Sequence, residues 1–86
     1  MPNYDPIKEE ERRLRRLRFI VDLTMAVLMQ GDITLQDALR LVSDTKEAAL
    51  SLFPDKEDVY ELIYTPRFRR VIAERFGMPG TISGRN

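Results

Sequence analysis

"TLQDALRLVSDTKEAALSLFPDKEDV", Thr34 to Val59, is the stretch on which the fold turns. Leu35, Ala38, Leu39 and Val42 recur at three- and four-residue intervals, the period of one helix face. Thr34 precedes them as a cap, with Asp37 three residues on. Ser43 or Asp44 then offers a second cap, with Glu47 placed to reach back, so "SDTKEAALSLF" is expected to begin a new helix. Phe53-Pro54 ends it, because a residue before proline is pushed out of the helical region. Asp55 is expected to cap "KEDVYELIY", with Val59, Leu62 and Ile63 inward and Tyr60 beside Tyr64. Thr65-Pro66 stops that helix and opens "PRFRRVIAERF", closed by Gly77.

Toward the N-terminus the signals are stronger. Asp5-Pro6 pairs a cap with a proline at the first helical position, and Glu9, Glu10 and Glu11 suit the positive end of the helix dipole. The run "IKEEERRLRRLRFIVDLTMAVLMQ" then continues unbroken to Gly31. Leu14, Leu17, Val21, Thr24 and Leu28 alternate three and four apart and so share a face. Glu9 with Arg13, and Glu11 with Arg15, stand four apart in the favourable order. From Phe19 to Met29 the chain is apolar almost all round, as expected of a helix covered on several sides. The sequence therefore predicts an all-α fold: one small domain of about five helices, a long first helix and a helix-turn-helix-like centre. Residues 1–77 form that domain, and the glycine-rich residues 78–86 are expected to be a flexible tail.

Composition excludes most chemistry. The 86 residues contain no cysteine, hence no disulfide framework and no thiolate metal site, which fits a reducing cytoplasm. They contain no histidine, the commonest general base and nitrogen ligand. No signal peptide opens the chain, and its most apolar run is shorter than the ~20 residues a membrane helix needs. Ser43 and Lys46 have the S-x-x-K spacing of serine–lysine acyl enzymes, but helix capping accounts for Ser43 and the companion motifs are missing. Glu57, Asp58 and Glu61 cluster without the alternating oxygen ligands of a calcium loop. No catalytic residue, cofactor, metal site or small-molecule site is evident, and the chain is read as a non-enzyme.

Net charge is zero, from 14 basic and 14 acidic residues, yet the signs are segregated. Arginines crowd Arg12–Arg18 and Arg67–Arg75, while acidic residues dominate between them. Such a pattern lets the basic end of one chain lie on the acidic middle of another, or on phosphates.

The central stretch also resembles the DNA-binding segment of the TetR repressor family. There a threonine caps the first helix, a small-residue turn follows, and the recognition helix ends in aromatics before a lysine-glutamate pair. Thr34, Ala38, Thr45, Lys46, Phe53, Lys56 and Glu57 fall at matching positions without a gap, and the helix ending at Gly31 is similar to the family's first. The resemblance spans residues 19–60 and implies duplex binding. The face that would enter the groove presents Asp44, Lys46, Glu47 and Ser51, without the Arg, Asn or Gln that read base edges. The leading expectation is therefore a non-catalytic helical interaction module, homodimeric, with Leu14, Leu17, Val21 and Leu28 at the seam. Arg12, Arg13, Arg15 and Arg16 are its electrostatic guides. Arg67 and Arg70, displayed together on "TPRFRR", and Lys46 complete the contacts expected toward an acidic partner or phosphates. The alternative is a small helix-turn-helix regulator that binds nucleic acid without a ligand-binding domain.

Overall fold

The computed structural model describes residues 5–77, which form four helices: α1 (Pro6–Gln30), α2 (Leu35–Leu52), α3 (Glu57–Ile63) and α4 (Thr65–Phe76). No strand occurs among the described residues, and the expected tail lies outside them.

α1 has the ends its sequence prescribes. The Asp5 carboxylate accepts the backbone N–H of Ile7 at 3.0 Å and of Lys8 at 3.4 Å, and Pro6 occupies the first turn. At the other end Gly31 donates its N–H to the Val27 carbonyl at 2.7 Å. Its φ of −71° is open to any residue, so glycine serves another purpose here. A Cβ on Gly31 would lie 2.6 Å from the Val27 oxygen, too close to tolerate. Gly77, which caps α4, is the true left-handed residue, with φ of 64°.

One helix replaces the two expected between Thr34 and Phe53. Thr34 caps it as foreseen, accepting the Asp37 N–H at 3.1 Å, but α2 runs through Ser43 and Asp44 without a turn. No glycine or proline stands between Leu35 and Leu52 to break it. Tertiary contact then favours continuity. Ala38, Thr45 and Ala49 are buried at helical spacing across the expected break. The Thr45 hydroxyl bonds the Leu41 carbonyl at 2.7 Å and the Thr24 hydroxyl of α1 at 2.7 Å, and both groups are satisfied in a buried setting. Ser43 and Asp44 stay exposed in mid-helix, and the turn of a helix-turn-helix is not formed there.

α3 also departs from expectation. Lys56, not Asp55, occupies its N-cap position, and no side chain caps it. Its inward residue is Tyr60, while Val59, Leu62 and Ile63 are exposed. Lys46 of α2 fixes this rotation, pairing with Glu57 at 2.9 Å and with Glu61. Tyr60 and Tyr64, ring centroids 5.3 Å apart, then take the inner side.

The core joins Val21 and Leu28 of α1, Ala38 and Ala49 of α2, Tyr60 of α3, and Phe68 and Ile72 of α4. Phe68 and Leu28 are its largest fully buried side chains. Val21 and Leu28 are thereby removed from the expected dimer seam, since α2 and α4 already cover them and they retain almost no surface for a second chain. Arg75 locks α4 to the end of α1, donating to the Leu28 carbonyl at 2.6 Å and to that of Gly31. This supplies the cation that the last turn of α1 lacks.

Candidate interaction surfaces

A helix meets neighbours on as many sides as it is apolar, and α1 is the test of that rule here. Its second half is apolar almost all round, Asp22 excepted, but α2 and α4 cover one side. At 100° per residue, Phe19, Leu23 and Ala26 lie opposite Val21, Thr24 and Leu28. The inner set is buried, whereas Phe19 is 65 % exposed, Leu23 54 % and Met29, on the flank, 59 %. Ala26 between them is exposed as well. These apolar side chains group on one exposed face, with exposed Asp22 between Ala26 and Met29.

A second surface forms where α1 approaches the end of α2. Leu14 and Leu17 face Ala49, Leu50 and Phe53 of the α2 end across a groove closed by Val59, Tyr60, Ile63 and Tyr64. Its volume is about 270 Å³, with Glu10 and Lys56 also in its lining. Leu14 and Leu17 thus share the face predicted for them, but that face belongs to this groove. Tyr60 and Tyr64, four apart, were read as neighbours, but Tyr60 was not expected inward, and Phe53, across the break at Pro54, joins them only through the fold.

Tyr60 is only 4 % exposed, and its hydroxyl has no hydrogen-bond partner among the described residues. Burial pushes its pKa up to about 12, with Glu61 adding to the rise and Lys46 opposing it, so the group stays protonated. On the other side of α3, the bonds from Glu61 and Glu57 raise the Lys46 pKa, and the Lys46 bond chiefly lowers that of Glu61. Lys46, expected to meet phosphate, is instead held within the fold by these two carboxylates. The same pairing engages Glu57 and Glu61 with an ammonium.

The predicted basic residues divide. Arg12 bonds Glu9 at 2.8 Å; Arg13 reaches Glu9 at 3.8 Å and lies over the Phe53 ring, 5.6 Å from its centroid. Glu11 and Arg15 form no ion pair, and Arg15, Arg16, Arg67 and Arg70 have no carboxylate within salt-bridge distance among the described residues. Arg67 and Arg70 do come together, lining a groove of about 460 Å³ with Met25, Pro66 and Val71. Arg67 also lies 5.9 Å from the Tyr64 ring centroid. Among the described residues, no group of three or more acidic side chains could hold a metal ion, and no helix is long and apolar enough to cross a membrane. The chain matches no family model, no curated protein and no solved structure.

Proposed function

We propose that this protein is a non-catalytic helical assembly module that works as a homodimer, built on the outward face of α1. The observation that carries this reading is the exposure of Phe19, Leu23 and Met29 on a helix half that is apolar on every side but for Asp22. A second copy offers the same stripe, and a two-fold pairing buries both at once. Charge favours antiparallel crossing. Parallel helices would set two Arg12–Arg18 clusters side by side. Antiparallel helices separate them and bring Arg16 toward the carboxyl end of the partner helix and the exposed Asp32 that follows it. The absence of cysteine suits such a module to a reducing cytoplasm.

Sedimentation equilibrium tests this directly. The wild-type chain is expected at twice its 10.1 kDa mass, and Leu23→Glu at the monomer mass with unchanged helical circular dichroism. A wild-type monomer at all concentrations overturns the reading.

The shared placement of Arg67 and Arg70 favours a second reading, contact with the phosphates of nucleic acid. It rests on arginine charge and not on a reading helix. It predicts binding to random-sequence duplex that falls steeply with salt and weakens in Arg67→Glu. Absence of anisotropy change at ~50 mM salt removes it.

A further inference from the structure

We infer that the groove between α1, the end of α2 and α3 is a binding site for a small apolar carboxylate, a molecule with a single ring or short alkyl chain and an acidic head. Size sets the first limit. An apolar cavity of about 150 Å³ holds one benzene ring, so about 270 Å³ has room for a ring or short chain plus a head group. The walls set the second. Leu14, Leu17, Leu50, Phe53 and Ile63 offer only carbon to the body of a ligand, and a concave apolar lining with few polar groups is the usual form of a small-molecule site.

The polar groups choose the head. Tyr60 belongs to the lining, and its buried hydroxyl is an orphan donor among the described residues. An unpaired buried polar group is costly, and a ligand oxygen that reached it from the groove would supply the partner it lacks. Lys56, also in the lining, takes part in no ion pair among the described residues, unlike Lys46 one helix away. Arg13, over the Phe53 ring, adds a second cation near the lining. Glu10 is the one carboxylate in the lining, and it disfavours a dianion, which points to a single carboxylate. Such a head satisfies a neutral donor and an ammonium together. The site lies on the inward side of α1, away from the Phe19–Leu23 stripe, so it is independent of the dimer.

The test is an amide and methyl NMR titration of the full chain with sodium octanoate, and with octylammonium chloride as the same chain bearing the opposite charge. Octanoate is expected to shift Leu14, Leu50, Val59 and Ile63 and to bind about tenfold tighter than octylammonium, as one charge-assisted hydrogen bond implies. Tyr60→Phe and Lys56→Glu are each expected to weaken octanoate about tenfold. Lys56 is exposed, so its replacement keeps the fold if Tyr60→Phe does not. Vesicles of phosphatidylcholine distinguish a free carboxylate from a lipid acyl chain, and the protein is expected to stay in the supernatant. Equal binding of the two head groups, shifts confined to the Phe19–Met29 stripe, no shift at all, or pelleting with vesicles that survives Lys56→Glu would each overturn the assignment.

Discussion

The two sides of α1 between Phe19 and Met29 are made of similar residues and meet different surroundings. Val21 and Leu28 lie under α2 and α4 with 5 % and 0 % of their surface exposed, while Phe19 and Leu23, half a turn away, face outward. Three further helices are too few to surround a helix half that is apolar almost all round. A small domain buries a modest share of its surface, and the outer face of α1 carries part of what stays exposed here, with Leu39 of α2 and Leu62 of α3 carrying more. The contrast teaches that the apolar pattern of a helix can exceed what its own chain covers.

The contrast is sharpest in stability. Leu28→Ala opens a cavity in the core and is expected to cost about 2–5 kcal/mol in chemical denaturation. Leu23→Ala, the same kind of truncation on the outer side, is expected to change the stability of the dissociated chain by under about 0.5 kcal/mol. If both cost the same at dilutions where the chain is monomeric, the two sides do not differ as described.

The hydroxyl pair that joins the inner side to α2 gives a smaller effect with a distinctive sign. Thr45→Val leaves the buried Thr24 hydroxyl without its partner and is expected to cost about 1–3 kcal/mol. Adding Thr24→Val should recover most of that loss, because removing both partners leaves nothing unsatisfied. Arg75→Met, which frees the carbonyls of Leu28 and Gly31, is expected to cost about 1 kcal/mol, with the amides near Gly31 exchanging faster.

The pH effect is the mildest. Tyr60 and Lys46 both titrate higher in the folded chain than in the unfolded one, so the folded state binds more protons in alkali. Their contribution is complete below the ordinary values, about 10 for both, and is lost as pH rises through the folded ones. Glu61 works oppositely: its pKa is lowered on folding, so its share is present above about 4 and declines in acid. The melting temperature should therefore fall above about pH 10, and a rise there would contradict the burial of Tyr60.

Local signals were legible and tertiary ones were not. Asp5, Pro6 and Gly31 delimit α1, Thr34 starts α2, and Thr65-Pro66 opens α4, because capping depends on a few adjacent residues. Ser43 and Asp44 have the chemistry of a cap, but Thr45 meets Thr24 across the interior, and no local rule contains that contact. The shared face of Leu14, Leu17, Val21 and Leu28 was readable from spacing. Its division was not: Val21 and Leu28 lie against α2 and α4, while Leu14 and Leu17 open into the groove beside the end of α2. The largely apolar character of Phe19–Met29, Asp22 apart, was also readable, and it is the feature on which the proposed function rests.

One measurement decides whether a second copy covers that face. In an equimolar mixture of isotope-labelled and unlabelled chains, filtered NOE spectra report only contacts between protomers. The dimer requires such contacts from the Phe19 ring and the Leu23 methyls to the α1 stripe of the partner. Intermolecular contacts that arise elsewhere, or none at concentrations where the whole chain is folded, would contradict it.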